Sequence, residues 1–364
     1  MTVRGLHTLS HRSWTSTCCF SSFRKFIISN DSDWIMSDLT SFKRGLSRQQ
    51  IAGLKQLSDS STDNWWKELL ETNDLLLAVR GGYLNAYIKG QSVLRIGFEK
   101  KAVEVVQPRL AIHYKYLVKP ELENKDPYIS FDGRAFDLDP TAIVNTQFKS
   151  RLTLPQLIKT AARFAGAEKS GVHKIARKEP KVVDLEIAFT RATDNGDLSA
   201  PRMDLAVLIP GAGGTELAFC EAKCADNGEL WNLEKRGKGE SNAASFPRST
   251  AVVAQIKKYE QFIQNKDNEK GLIDAYVKVC RTLVEIGSQS ATRTVDDLVK
   301  QVADGRSRLS IHPHVYLLIY GFDRDQRDGR LAKRQKELRD QGLKIIAKGN
   351  PGEFQLANDI LRAN

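Results

Sequence analysis

The stretch PRMDLAVLIPGAGGTELAFCEAK, residues 201–223, constrains the fold more tightly than any other part of the chain. DLAVLI and TELAFCEA both read as short apolar strands. PGAGG between them is strong turn chemistry, because glycine reaches positive φ without steric cost. The two strands therefore form a β-hairpin. With the turn centred between Ala212 and Gly213, Asp204 falls directly opposite Glu221. Opposed side chains sit about 4.5–5.5 Å apart at Cβ, and like charges there destabilise a sheet. Such a pair wants a cation between its members. Lys223 follows Glu221 by two and projects from the same face.

The 364 residues leave room for about two domains. No apolar run approaches the roughly 20 residues that span a bilayer, which argues against a membrane protein. A net charge of +11 points to a polyanionic partner such as nucleic acid. The cysteines (Cys18, Cys19, Cys220, Cys224 and Cys280) are odd in number and form no CxxC pair, so neither a disulfide framework nor a zinc site is expected. A reducing, cytoplasmic setting fits them best. Residues 1–35 contain a Ser- and Arg-rich stretch and read as a disordered arm or an over-extended N-terminus rather than a transit peptide.

Residues 36–150 read as an α+β module of unassigned role. Helices are expected over 46–72, with Asp63 or Asn64 as a cap for the second. Short strands broken at Gly81-Gly82 and Gly90 follow, then β character through AVEVVQPRLAIHYKYLV, then a mixed connection over 119–150. In YLNAYIKG, Tyr83 and Tyr87 share a face with Lys89. That face reads either as a stacking platform for bases or as one covered by the module's own helices.

Residues 151–364 have a clearer order. An amphipathic helix (152–167) precedes a strand (181–190), the hairpin, and a polar stretch (225–249) holding Trp231 and the basic KRGKG. A helix capped by Ser249 or Thr250 follows, then further helices over 271–305 and a buried strand at 315–322. A basic helix (330–341) and a last strand, LKIIAK, come at the end. His312 and His314 read as strand-entry residues.

The order helix, strand, strand, strand, helix, strand, with PRMD ending at Asp204 and EAK at 221–223, resembles the core of the PD-(D/E)xK nuclease superfamily over about residues 150–350. QIKKY places Gln255 and Tyr259 four apart on one helix face, similar to the Gln-x-x-x-Tyr signature of RecB-type members. The resemblance implies an α/β fold with a restriction-endonuclease-like core, a mixed central sheet flanked by helices. It implies a Mg²⁺-dependent deoxyribonuclease, with Mn²⁺ able to substitute, acting in restriction, repair or phage defence. Asp204, Glu221 and the carbonyl of Ala222 would hold the metal, and Lys223 would orient the attacking water. A third acid is expected upstream, with Glu186 preferred over Glu168 and Glu179.

The chemistry gives an independent reason for these residue types. Phosphodiester hydrolysis needs an anionic transition state neutralised and a nucleophile made from water. Hard carboxylate oxygens suit Mg²⁺ for that task. DNA is the expected partner, with RNA still open, as are further subunits or a homo-oligomer. Candidate phosphate contacts are Lys235, Arg236 and Lys238, with Gln255 and Tyr259 nearer the site. Arg330, Lys333, Arg334, Lys336 and Arg339 on the basic helix join them. The alternatives are a nucleic-acid-binding protein that has lost cleavage and a scaffold subunit.

Overall fold

The computed structural model describes residues 42–100, 106–112, 116, 148–189, 202–232 and 250–363. The expectations for residues 1–35, for Lys235, Arg236 and Lys238, and for most of 119–150 lie outside the described residues.

Helix α1 (Arg48–Asp59) opens on a capping box, in which the Gln50 N–H donates to Ser47 Oγ and the Ser47 N–H to Gln50 Oε1. Helix α2 (Trp65–Glu71) is capped by Asn64, whose side chain accepts from the N–H groups of Trp66 and Lys67. An antiparallel meander follows, β1 (Leu76–Val79), β2 (Leu84–Ile88), β3 (Gln91–Lys100) and β4 (Val106–Ile112), paired in that order. Tyr87 is buried, with its hydroxyl accepting from Arg80 Nη2, and the Arg95 guanidinium lies 4.0 Å from the centre of the Tyr83 ring. The two tyrosines therefore do not form an open stacking platform. Tyr87 is taken into the core that also holds Val172 and Ile175.

The helix expected over 152–167 stops at Arg163, and a second, unexpected helix follows it. Helix α3 (Thr153–Arg163) ends, Gly166 adopts an extended N-cap, and α4 (Ala167–Lys178) begins. The second helix escaped the sequence reading because it is mostly polar, carries Gly171, and has only a narrow apolar stripe.

Then come β5 (Val182–Ala188), β6 (Arg202–Gly211) and β7 (Gly214–Cys224). After the one-turn α5 (Gly228–Trp231), α6 (Ala251–Gln264), α7 (Lys266–Gly287) and α8 (Asp297–Ala303) lead to β8 (Leu309–Tyr320). The chain continues through α9 (Arg324–Asp328), α10 (Arg330–Asp340), β9 (Lys344–Ala347) and α11 (Leu356–Ala363). The second sheet runs β5-β6-β7-β8-β9. Its first three strands are antiparallel neighbours, and β8 and β9 are added in parallel. Strand β8 starts earlier than its apolar run, and its pairing with β7 is irregular around Pro313, which has no N–H to give.

The fold is thus mixed α/β, with one antiparallel and one mixed sheet flanked by helices. One face of the mixed sheet carries Leu217 and Phe219 in a core shared with Ile256 and Val279, from α6 and α7. The other carries Ala218 and Cys220 in a core shared with Val172, Ile175 and Leu356, from α4 and α11. Among the described residues no helix is long and apolar enough to cross a membrane.

Candidate active site

The turn sets the register of the hairpin. Gly211 pairs with Gly214, and the pairing runs without a slip to Leu205 and Cys220. Gly214 has φ +142°, and a Cβ there would meet the Arg308 carbonyl oxygen at 2.5 Å, so only glycine fits. One step past Leu205 and Cys220, Asp204 stands across from Glu221. On the other side of β6, Leu185 pairs with Leu205 and Ile187 with Met203, which sets Glu186 across from Asp204. Three carboxylates therefore lie in a row on neighbouring strands.

The backbone ladder between β6 and β7 gives way to a side chain here. Asp204 Oδ2 accepts the Ala222 N–H at 2.7 Å. In a strand the N–H and C=O of one residue point to the same side, so the Ala222 carbonyl faces the same gap. Lys223 Nζ sits 2.8 Å from Glu221 Oε1 and 2.7 Å from Glu229 Oε2 of α5. Gln255 Nε2 donates to Glu221 Oε1 at 3.0 Å and to the Tyr259 hydroxyl at 2.7 Å. The helical spacing of Gln255 and Tyr259 thus serves the carboxylate from above the sheet. Glu221 Oε2 is buried and, in this arrangement, has no hydrogen-bond partner.

Burial and repulsion from neighbouring carboxylates raise both opposed acids. Burial first, with Glu186 and Glu168 adding repulsion, pushes Asp204 up to about 7 against the pull of the Ala222 N–H and Lys223. Burial and then Asp204 hold Glu221 well above the usual carboxylate range. For Lys223, burial opposes the charge, but Glu221 and Glu229 outweigh it and keep the ammonium protonated.

The three candidates for a further acid are each engaged by other partners. Glu186 has φ 51° and pairs with Lys169 at 3.3 Å. Glu168, near the start of α4, accepts from the Cys224 N–H at 3.2 Å and from Asn227 Nδ2 at 2.6 Å, at the end of β7. Glu179 is remote from the hairpin end, accepting from the Ala357 N–H and facing Lys181. Among the described residues no three or more His, Cys, Asp and Glu side chains converge as a ready-made metal cage. The opposed pair nevertheless suits a hard divalent cation. It offers carboxylate oxygens, one of them orphaned and buried, beside a carbonyl facing the same gap.

Sequence reasoning missed two groups. Glu229 lies beyond the strand, and its only signal is Asn227, an N-cap that starts a helical turn aimed back at Lys223. The second group is Arg80 with Asp184. Arg80 Nη1 donates to Asp184 Oδ1, and Arg80 Nη2 donates to the carbonyls of Leu185 and Glu186 at 2.7 and 3.4 Å. Arg44 and the Tyr276 hydroxyl complete the shell around Asp184. His312 and His314 join no such group. His314 faces Glu260 at 3.2 Å, and His312 is buried with Glu216 at 3.8 Å.

No protein-family model matches the chain, and no curated protein or solved structure matches it at a significant level.

Proposed function

We propose that the chain is a metal-dependent nuclease hydrolysing phosphodiester bonds of DNA, built on a restriction-endonuclease-like core. The observation that carries this reading is the opposition of Asp204 and Glu221 on adjacent strands, with Lys223 on the same face and Gln255 bonded to Glu221. The sheet supports it, because an antiparallel trio followed by a helical crossover and a parallel fourth strand is the order the resemblance implies.

Asp204, Glu221 and the Ala222 carbonyl would hold Mg²⁺, with Mn²⁺ as a substitute. When bound, the ion supplies Lewis acidity at a phosphoryl oxygen and lowers the pKa of water. Lys223 keeps its proton and presents positive charge where charge develops in the transition state. Gln255 and Tyr259 hold the Glu221 carboxylate in one rotamer, and Glu229 holds the Lys223 ammonium. Glu186, across from Asp204, is the third acid, and it must leave Lys169 to take part.

That engagement of Glu186, with Glu168 occupied by backbone and Asn227, favours one second reading, a DNA-binding protein without cleavage. A cleavage assay separates the two. With Mg²⁺ or Mn²⁺ the wild type is expected to cut circular or linear DNA. Asp204→Asn and Glu221→Gln are expected to lower the rate at least 10³-fold while leaving the circular dichroism spectrum unchanged. Equal rates in wild type and both variants would remove the site. Binding without cleavage by the wild type would establish the second reading.

A further inference from the structure

A cavity of about 340 Å³ opens beside the candidate active site, lined by Ala225, Asp226, Trp231, Gln326, Arg330 and Leu331. Ala225 is two residues past Lys223. Trp231 shares its one-turn helix with Glu229, which bonds Lys223. The cavity is therefore lined by residues that follow the candidate site directly along the chain. Its walls are chemically specific. Trp231 is half-buried, and its Nε1 donates to the Ala225 carbonyl at 2.9 Å, which fixes the plane of the indole. The Arg330 guanidinium lies over that ring, 4.3 Å from its centre. Aromatic rings and guanidinium planes are side-chain surfaces on which unpaired bases stack, and here the guanidinium takes one face of the indole. Asp226 is exposed at the rim and offers only acceptors, which suits the exocyclic amino groups of bases.

We infer that this cavity takes one unpaired nucleobase of the substrate, next to the phosphodiester that is cut. The inference rests on the nuclease reading and narrows its substrate to single-stranded or frayed nucleic acid. Sites for small molecules run from about 300 to 1,000 Å³, and this cavity is at the low end, with room for one base and none for a base pair. Arg330 stays on the Trp231 ring and adds a fixed positive charge to the cavity wall.

The test uses the whole chain without metal and two fluorescent single-stranded oligonucleotides. One is normal and the other carries consecutive abasic residues with the same phosphates. The wild type is expected to bind the normal strand about tenfold more tightly, the size of effect that one lost stacking contact produces. Trp231→Ala is expected to bind both strands equally, and Trp231→Phe to restore most of the difference. Equal binding of the two strands by the wild type would overturn the inference without any variant. Retained discrimination in Trp231→Ala would overturn it too. A cleavage assay with Mn²⁺ run alongside keeps the two readings apart. Cleavage without base discrimination removes the base pocket alone. Discrimination without cleavage keeps the pocket and removes the hydrolase. Binding of neither strand, together with no cleavage, removes both.

Discussion

At the scale of single residues, the site is governed by what Asp204 replaces. Its carboxylate stands where a β6 backbone acceptor would otherwise meet the Ala222 N–H. An amide side chain offers the same acceptor, so Asp204→Asn keeps the bond and removes only the charge. This leads to a pH prediction. Burial raises Asp204 to about 7 in the folded chain, above an ordinary carboxylate near 4. The folded state then holds a proton that the unfolded state has released, so metal-free stability falls as pH rises from about 4 to about 7. The Ala222 N–H and Lys223 oppose the trend, while Glu186 and Glu168, which repel the same carboxylate, add to it. The Asp204→Asn variant is expected to lose part of this slope and to exceed the wild type at pH 8 by on the order of 1–2 kcal/mol, allowing for screening. Urea titrations at pH 5 and pH 8 measure it. A wild type more stable at pH 8 than at pH 5 would show that Asp204 is not held protonated.

At the scale of elements, α4 is set against the mixed sheet by a missing side chain. A Cβ at Gly171 would lie 2.3 Å from the ring of Tyr320 on β8, and the Tyr320 hydroxyl donates to the Glu168 carbonyl at 2.5 Å. Helix propensity alone favours Gly171→Ala by about 0.8–1 kcal/mol. The clash reverses that sign, and a net loss of about 1–3 kcal/mol is expected, read as a lower urea midpoint. An unchanged or higher midpoint would mean that the helix and strand part freely. The same packing explains how much could be read in advance. The hairpin register was legible because Gly211 and Gly214 flank a two-residue turn and because each acid ends an apolar strand. Helix α4 was not, because its buried side is only Gly171, Val172, His173, Ile175 and Ala176, and a glycine packed under a tyrosine leaves no periodic trace. Helix α10 illustrates the same limit. Five basic residues mark it as a phosphate-facing surface, yet Arg334 donates to the Leu230 carbonyl and Arg330 covers Trp231.

At the scale of the whole molecule, the two sheets are joined through charge. Arg80, just past β1, reaches Asp184 on β5, a partner 104 residues away that no local pattern announces. Arg44, before α1, and Tyr276, on α7, close the shell, and Asp184 is fully buried. Removing one partner of a buried pair leaves a charge that nothing neutralises, at about 3–5 kcal/mol. Arg80→Met is expected to be destabilised in that range, less whatever Arg44 retains. Adding Asp184→Leu to it is expected to recover most of the loss, because an apolar pair avoids desolvation altogether. Denaturant unfolding of the single and double variants measures both. A single variant within about 0.5 kcal/mol of the wild type would make the contact incidental.

The Arg80 bridge also decides how the molecule can be taken apart. Its donors grip the carbonyls of Leu185 and Glu186, at the very place where the strand bends to set Glu186 across from Asp204. A fragment beginning at residue 148 keeps every acid of the candidate site and loses both guanidiniums that neutralise Asp184. It is therefore left with a buried anion in the strand beside the candidate site. The smallest piece able to stand alone extends back at least to Arg44.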